Sequence, residues 1–319
     1  MREDAEKGTA LSGGAGQIHN EFEESQMKPG GLFSKLFLGS YYFTIALREK
    51  HPGGINGGEV FHAQYVMPAS KDDWAADPML VDDGDRTWLF YESVKGQKGR
   101  IEVAEVLAGC RLSKPRVLLE DDCHYSYPFV FRADGVWYMI PESSAASEVR
   151  LYRASTFPFQ WELQTVLLRE RAVDTTVFFH QNSYWLLTFV LDQGSEKVFP
   201  HAYTVENWNT PVLREVPWQD YDPLRVRGAG ALFEAHNELL RPAQISQPQR
   251  YGDGLLFYRA RLSDRYEEKP VFEITEKNLR IKGIMADGLH TYSCSARYEA
   301  IDIRCRAADP LKLAKRLMH

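Results

Sequence analysis

A pattern that recurs five times along the chain is the feature that most constrains its fold. Each copy has a polar anchor, five or six mostly apolar residues, a tight turn and a second strand-like run. The anchor segments are Asp77–Val81, Ser126–Phe131, Asp174–Phe179, Gly228–Phe233 and His290–Ser293. They recur at intervals of about 50 to 60 residues, the length of a four-stranded antiparallel blade with its connections. The sequence therefore predicts an all-β fold, a five-bladed β-propeller.

Further strand-like runs lie between the anchors, as a propeller requires. Residues 101–104, 149–153 and 255–259 are expected to be the third strands of their blades. Sustained helical periodicity is nearly absent. The first three repeats are well defined, and the last two are degenerate. A pair of β-sandwiches would also give many short strands, but it would not place one anchor in every repeat.

Composition divides the chain into a core and two tails. Residues 1–36 are rich in Gly, Glu, Ser and Lys, and such a segment buries too little apolar surface to offset its ordering entropy. We expect a flexible tail there, the propeller over residues 37–306, and a short helix or tail over residues 307–319. The first segment lacks the apolar core of a signal peptide, and no run reaches the ~18 to 20 apolar residues of a membrane span. We therefore expect a cytoplasmic protein without a membrane span.

Charge and cysteine content narrow the partners. The chain has 38 Lys and Arg against 44 Asp and Glu, a formal net charge of -6. Because this balance offers no broad basic surface to phosphate backbones, we expect no nucleic-acid partner. The four cysteines are scattered without a C-x-x-C pair, which favours free thiols over a disulfide or a metal site.

Three local motifs appear in one order along the predicted blades. They are H-x-S-Y-P at residues 124–128, P-E-S at residues 141–143 and F-P-x-x-W at residues 157–161. Over about residues 40 to 306 the chain resembles the N-terminal domain of the plant glucosamine inositolphosphorylceramide transferase family and its bacterial relatives. In the plant enzyme the transferase chemistry belongs to a separate C-terminal domain. The resemblance therefore implies a glycan-related propeller that works beside a glycosyltransferase or another glycan-modifying enzyme.

A more distant resemblance concerns the anchors themselves. Asp77 is similar to the acidic first-blade anchor of the five-bladed glycoside hydrolases, the arabinanase, invertase and levansucrase group, and Asp174 stands at the third-blade anchor. Those enzymes need paired carboxylates, because one protonates the leaving oxygen while the other attacks or activates water. The second-blade anchor departs from the pattern, since it reads Ser126-Tyr127-Pro128 with Glu142 on the following strand. The resemblance thus implies Asp77, Asp174 and Glu142 as candidate catalytic residues.

Other polar and aromatic residues near the anchors are candidates for sugar binding. They are His124, Tyr125, Tyr127, Arg241, Gln244 and His290. A guanidinium suits sugar hydroxyls, carboxylates or phosphates because it donates bidentately, and an aromatic ring offers a platform under a sugar. Each residue also has a structural interpretation, as a cap, a core hydrogen-bonding group or a loop closure. His290 could also help to hold a central ion such as calcium, whereas no other metal or cofactor is expected.

Two functions of different classes remain open. The first is a binding or accessory module that recognises a glycan or an activated sugar in polysaccharide or glycolipid assembly. The second is a glycoside hydrolase that uses Asp77, Asp174 and either Glu142 or His124 as acid, base and stabiliser. The missing second-blade carboxylate favours the first function, and the ionisable groups at four anchors favour the second. A protein-interaction propeller is a weaker third possibility.

Overall fold

The computed structural model describes residues 41–306, except residues 53, 97, 193–197, 236 and 248–249. The strands are β1 (Tyr41–Glu49), β2 (Phe61–His62), β3 (Tyr65–Val66), β4 (Asp73–Asp83), β5 (Arg86–Lys95), β6 (Lys98–Glu105), β7 (Arg116–Leu119), β8 (Ser126–Ala133), β9 (Val136–Glu142), β10 (Val149–Thr156), β11 (Gln160–Leu168), β12 (Ala172–His180), β13 (Ser183–Leu191), β14 (Val198–Val205), β15 (Leu213–Val216), β16 (Phe233–Ala235), β17 (Glu238–Gln247), β18 (Arg250–Leu262), β19 (Tyr266–Thr275), β20 (Leu279–Arg280), β21 (Ala286–Gly288), β22 (Tyr292–Cys294) and β23 (Tyr298–Arg306). Three short 3-10 helices cover Ala108–Cys110, Ser144–Ala146 and Glu276–Asn278. Among the described residues there is no α-helix.

Five antiparallel sheets form the blades of a β-propeller. Strands β4–β7, β8–β11, β12–β15 and β16–β19 make blades 1 to 4 in chain order. Blade 5 closes the ring, because β1 pairs with β23 from the other end of the chain, and β21 and β22 both pair with β23. The all-β, five-bladed prediction is confirmed, and the predicted third strands lie in β6, β10 and β18. The predicted tails, residues 1–36 and 307–319, lie outside the described residues.

The first strands of blades 1 to 3, which are β4, β8 and β12, share one irregularity. In β4 the register against β5 shifts between Ala76 and Met79, so two residues face one across the ladder. The same two-against-one bulge interrupts β8 between Ser126 and Phe129, and β12 between Val173 and Thr176. The first bulged residues are Asp77, Tyr127 and Asp174, all with left-handed backbone at φ 51°, 41° and 50°. Because a bulge re-aims side chains at the end of a strand, the repeated anchor is a backbone device as well as a sequence pattern.

Aromatic packing within and between blades explains one of the three motifs. Phe157 stacks on Trp137 with ring centroids 4.2 Å apart, and Trp161 donates its indole N–H to the Pro158 carbonyl at 2.7 Å. Phe159 extends the cluster to Trp88 of blade 1, at 5.5 Å. The F-P-x-x-W segment therefore holds blade 2 against blade 1, which makes its role structural.

All four cysteines are free thiols, as the sequence predicts. Cys110 and Cys305 are buried, and Cys123 and Cys294 are half-buried. Burial raises the pKa of the Cys305 thiol to about 12 and that of Cys110 to about 11. Because the thiolate is the reactive form, these two cysteines behave as small apolar core residues at neutral pH.

Candidate functional site

The bulges place ionisable side chains at one end of the ring, which we call the channel mouth. It is the end at which β4, β8 and β12 begin and β5 and β9 end, and its polar residues are Asp77, Glu92, His124, Glu142, Asp174, Arg227, His290 and Asp302. In blade 5 the corresponding position is His290, which lies between β21 and β22. Five carboxyl groups share this small volume with three basic side chains. An imbalance of this kind between buried acids and bases is a mark of functional sites.

Asp77, His290 and Asp302 form a hydrogen-bonded group between blades 1 and 5. The imidazole Nδ1 of His290 lies 2.6 Å from Asp302 Oδ2, and its Nε2 lies 3.5 Å from Asp77 Oδ1. Asp302 also accepts hydrogen bonds from the backbone N–H groups of Asp77, His290 and Thr291, at 3.1, 2.9 and 2.9 Å. Through these hydrogen bonds Asp302 fixes the orientation of the His290 imidazole and of the backbone around it.

Burial dominates the protonation of this group. It raises the pKa of Asp77 to about 8, because the charges of Glu92, Asp302 and Asp174 add to the desolvation that His290 only partly offsets. Burial alone would lower the pKa of His290, but the charge and hydrogen bond of Asp302 outweigh it, so that pKa lies above its usual value. Near neutral pH this end of the channel therefore retains protons that exposed carboxyl and imidazole groups would have released.

Tyr127 of blade 2 is buried and makes hydrogen bonds to blades 1, 3 and 4. Its backbone N–H donates to Asp77 Oδ2 at 3.1 Å, and its phenol accepts from the Gly230 N–H of blade 4 at 2.8 Å. The same hydroxyl shares a hydrogen bond with Thr176 of blade 3 at 3.1 Å. At Gly230, where φ is 132°, a Cβ would lie 1.9 Å from the Tyr292 carbonyl oxygen, so only glycine fits beside the phenol. Tyr127 thus ties three blades together where the hydrolase pattern would have a carboxylate.

Arg227 links two further carboxylates of the mouth, Asp174 and Glu142. Its Nε donates to Asp174 Oδ2, its Nη2 donates to Asp174 Oδ1 at 3.3 Å, and Nη2 also lies 3.6 Å from Glu142 Oε2. Gln244 supports Asp174 from behind, since its Nε2 donates to Asp174 Oδ2 at 3.3 Å and to the Gly228 carbonyl at 2.7 Å. Burial and the charge of Asp174 raise the pKa of Glu142 to about 7, against the opposing effects of Arg227 and Ser144. One guanidinium is therefore shared by two acids.

His124 and Glu92 form the third polar group. The imidazole Nε2 lies 2.9 Å from Glu92 Oε1, and Nδ1 accepts from the Gly99 N–H at 2.9 Å. Burial opposes protonation, but the hydrogen bond and charge of Glu92 outweigh it and raise the pKa of His124. A Cβ at Gly99 would lie 2.6 Å from Glu92 Oε1 and 2.7 Å from His124 Cε1, so glycine leaves room for this pair.

The structure brings most of the predicted site residues together. Asp77, Asp174, Glu142 and His290 lie at the mouth, and His124 reaches it through Glu92. Gln244 lies behind Asp174, where it is completely buried. Gln244 therefore positions a carboxylate and has no surface to offer to a sugar.

Three predicted binding residues are placed differently. Arg241 lies between blades 3 and 4, where it makes two 2.7 Å hydrogen bonds to Glu268 and a third to the Val226 carbonyl at 2.9 Å. Tyr125 directs its phenol towards Asp121 and Tyr152, at 2.8 and 3.0 Å. Tyr127 is only 1 % exposed, so it cannot serve as a platform under a sugar ring. In each case the internal hydrogen bonds take the polar atoms that the sequence prediction assigned to a ligand.

The sequence analysis missed Arg227, Asp302 and Glu92. The signal for Glu92 was present, because Tyr91-Glu92-Ser93 repeats the P-E-S motif one blade earlier. The registers agree: Glu92 faces Ala76 just before the first bulge, as Glu142 faces Ser126 just before the second. Arg227 directly precedes the fourth anchor, but that repeat is degenerate. Asp302 shows no local pattern.

The donor set at the mouth does not fit calcium. Ligand atoms of Asp77, His290 and Asp302 lie within 4.8 Å of one another. Calcium takes six to eight oxygen ligands, whereas this trio offers an imidazole between two carboxylates that already bond to backbone and side-chain donors. The hydrogen bonds among the three residues account for their proximity without an ion.

Comparison with known proteins identifies the family. The chain matches the family described as "Glucosamine inositolphosphorylceramide transferase 1, N-terminal" over residues 60–297. It belongs to this family. It is 32 % identical over 214 residues to glucosamine inositolphosphorylceramide transferase 1 of Oryza sativa subsp. japonica, an alignment covering 62 % of this chain and 28 % of the rice protein. With the Arabidopsis thaliana protein of that name it shares 34 % identity over 128 residues, 39 % of this chain and 17 % of the relative. The chain thus corresponds to a minor part of the length of these plant proteins.

Solved structures share the fold at low sequence identity. The β-1,2-mannobiose phosphorylase of Listeria innocua superposes with a TM-score of 0.53 and 9 % identity, covering 79 % of this chain and 95 % of that enzyme. The Bombyx mori GH32 β-fructofuranosidase superposes with a TM-score of 0.51 and 14 % identity, covering 71 % and 56 %. The resemblance to five-bladed propeller enzymes is confirmed at the level of fold. Within the described part of the chain no helix is long and apolar enough to cross a bilayer.

Proposed function

We propose that the channel mouth recognises a glycan, or the sugar part of an activated sugar, beside a separate glycosyltransferase in polysaccharide or glycolipid assembly. The observation that carries the proposal is the internal pairing of the mouth carboxylates around Tyr127. Asp77 accepts from Tyr127 and Thr291, and Asp174 accepts from Arg227 and Gln244. Groups held in this way can orient neighbouring donors towards sugar hydroxyls, but they are poorly placed to exchange protons during bond cleavage.

Family membership supports the same proposal. The plant relatives are named as transferases, and the aligned part is a minor share of their length. A propeller that recognises sugar while chemistry takes place on another domain or chain fits both facts. The cytoplasmic location predicted from the sequence stays a prediction.

The test is a binding measurement with a simultaneous assay for turnover. Purified protein is titrated calorimetrically with glucosamine, N-acetylglucosamine, their UDP conjugates and a panel of aryl glycosides, and released product is measured in parallel. We expect saturable binding without product release, weakened at least tenfold by the double substitution Asp77→Asn, Asp174→Asn. Asp122→Asn, on an exposed loop, is the charge-matched control. Absence of binding to every probe would reject the proposal.

Hydrolysis of a glycosidic bond is the second candidate. It is favoured by the raised pKa of Glu142, about 7, because a carboxyl group that retains its proton near neutral pH can act as a general acid. Product release by the wild-type protein that is abolished by Glu142→Gln would establish a glycosidase and replace the recognition proposal. Glu148→Gln, on the neighbouring turn, is its control.

A further inference from the structure

A groove of about 450 Å³ opens at the opposite end of the ring from the mouth. It lies between the β8–β9 turn and blade 3, and its main lining residues are Asp134, Phe179, Asn182, Tyr184, Glu206 and Arg214. Strand β12 runs from Asp174 at the mouth to His180, just before the turn at Gln181 and Asn182, which is six residues and about 20 Å of extended chain. The groove is therefore separate from the mouth, and its volume is within the range of small-ligand sites.

Two aromatic rings form the apolar surface of the groove. Phe179 is 54 % exposed, which is high for a phenylalanine, and its ring centroid lies 4.7 Å from that of Tyr184. Tyr184 packs at 5.9 Å against Trp208, and Trp208 packs at 4.6 Å against Phe131 of blade 2. The exposed Phe179 ring is thus supported by a row of aromatic rings in tilted and edge-on contact that leads to the buried Trp208, so covering it with a ligand costs little further side-chain freedom of Phe179.

The rim of the groove is polar and carries little net charge. Glu206 and Arg214 pair with each other at 3.0 Å, and both side chains are exposed. Asn182 and Asp134 occupy tight hairpin turns with φ of 61° and 50°, which fixes their backbones. Among the described residues that line the groove, Arg214 is the one cation and is matched by Glu206, while Asp134 adds a negative charge, so the rim has no excess positive charge to attract a phosphate. Planar carboxylate, amide and guanidinium groups are well suited to neighbouring hydroxyl groups.

We propose that this groove binds a neutral oligosaccharide of about two sugar units, as a second carbohydrate site independent of the channel mouth. One sugar ring would stack its C–H face on Phe179, while its hydroxyls would hydrogen-bond to Asn182 and to the Glu206–Arg214 pair. An exposed ring with a polar, nearly neutral rim matches a sugar, which is apolar on its faces and polar at its edges. The proposal does not depend on what the mouth binds.

The chain offers a matched control for testing the groove. Phe199 in β14 is also an exposed phenylalanine of blade 3, at 40 %, but it does not line the groove. Wild type, Phe179→Ala, Arg214→Ala and Phe199→Ala would be titrated with neutral di- and trisaccharides of gluco, manno, galacto and N-acetylglucosamine configuration. Saturation-transfer NMR detects binding, and calorimetry gives Kd.

The expected result is saturable binding of at least one of these oligosaccharides. Phe179→Ala should weaken it at least tenfold, Arg214→Ala severalfold, and Phe199→Ala less than twofold. The Asp77→Asn, Asp174→Asn protein should still bind in the groove, which separates this proposal from that for the mouth. No binding to any member of the panel would overturn the proposal. So would equal losses in the two Phe variants, or binding that only the mouth substitutions reduce.

Discussion

Two arginines of the blade 4 region, the buried Arg241 and the half-buried Arg227, illustrate how the same residue type can contribute to stability or to a site. Arg241 makes two hydrogen bonds of 2.7 Å to one carboxylate, Glu268. The ring centroids of Phe189, Trp218 and Tyr258 lie 5.2 to 5.6 Å from its guanidinium carbon Cζ. Arg227 meets two carboxylates, Asp174 and Glu142, and its side chain is 25 % exposed. At Arg241 one positive charge meets one negative charge and both side chains are buried. At Arg227 one positive charge meets two acids and the guanidinium is partly exposed to solvent.

The two arginines differ in the number of carboxyl groups that each guanidinium neutralises. At Arg241 one cation matches one anion, so a ligand would have to break a complete set of hydrogen bonds. At Arg227 the second acid is left with a pKa of about 7, and its proton is available to an incoming polar group. A ligand that donates a hydrogen bond to Glu142 could therefore supply the partner that Arg227, shared with Asp174, supplies only in part.

The largest effect is expected from breaking the buried Arg241–Glu268 pair. Arg241→Met should lower the free energy of unfolding by about 3–5 kcal/mol, because it leaves the buried Glu268 carboxylate without its cation and with the Tyr266 hydroxyl as a neutral donor. Urea denaturation followed by tryptophan fluorescence measures this. The double substitution Arg241→Met, Glu268→Leu should recover part of the loss. If Arg241→Met costs no more than Arg227→Met, the comparison between the two arginines fails.

The acid surplus at the mouth predicts that stability falls as pH rises. Asp77 retains its proton in the folded state up to a pKa of about 8, whereas in the unfolded chain it releases it near pH 4, so the unfolded state binds fewer protons between these values. The raised pKa of His290 acts in the same direction, since its stabilisation is complete below pH 6.5 and is lost as pH rises through the folded-state value.

Scanning calorimetry from pH 5.5 to 8.5 measures this dependence. The Tm of the wild-type protein should fall by about 5 °C over this range. Asp77→Asn should show a smaller fall, because it removes the buried acid, while Asp122→Asn should follow the wild type. A Tm that rises with pH would contradict the surplus of protonated groups.

A smaller loss of stability is expected on removing the Tyr127 hydroxyl, which links blades 2, 3 and 4. Tyr127→Phe keeps the ring but leaves the Gly230 N–H buried without its acceptor, at a cost of about 1–2 kcal/mol. Urea denaturation is the measurement, and Tyr65→Phe, at a half-buried position outside the channel, is the control. Equal stability of the two variants would mean that the phenol does not hold the three blades together.

The smallest effect on stability is expected at Arg227, the partly exposed arginine of the mouth. Arg227→Lys keeps one positive charge but loses the planar fork that reaches both acids. On the proposed function, Tm should change by less than about 3 °C while sugar affinity at the mouth falls about tenfold, equivalent to ~1.4 kcal/mol. Calorimetric titration of wild type, Arg227→Lys and the exposed Arg169→Lys distinguishes the two contributions. Unchanged affinity would exclude Arg227 from the binding surface.

The fold could be predicted because its repeat is local. Each inner strand, turn and second strand lies within about 20 residues, so the pattern at Asp77 and Asp174 contains most of a blade hairpin. The bulge itself is also repeated, which is why these two anchors converge at the mouth. Blade 5 is the least evident from a local pattern, because β1 pairs with β23, about 250 residues further along the sequence.

The partners of the site residues could not be predicted in the same way. Arg241 and Arg227 are only 14 positions apart and carry the same side chain, yet a strand pairing sends one between blades and the loop before the fourth anchor sends the other to the mouth. Which carboxylate each one meets depends on contacts that lie far apart in sequence. Asp302 likewise becomes important only when ring closure brings it to His290 and Asp77.

The strand pair that closes the ring also determines how the molecule can be tethered. Tyr41 faces Arg306 across the β1–β23 ladder, and β23 ends on the same side of the ring as Asp302 and the mouth. Both connections to the rest of the chain therefore leave beside the mouth. A reporter or a support attached at Tyr41 or Arg306 would crowd that face and leave the groove beside blade 3 open to solvent. Immobilised at either of these residues, the propeller presents its two candidate sites unequally, and a binding assay can use that orientation to tell them apart.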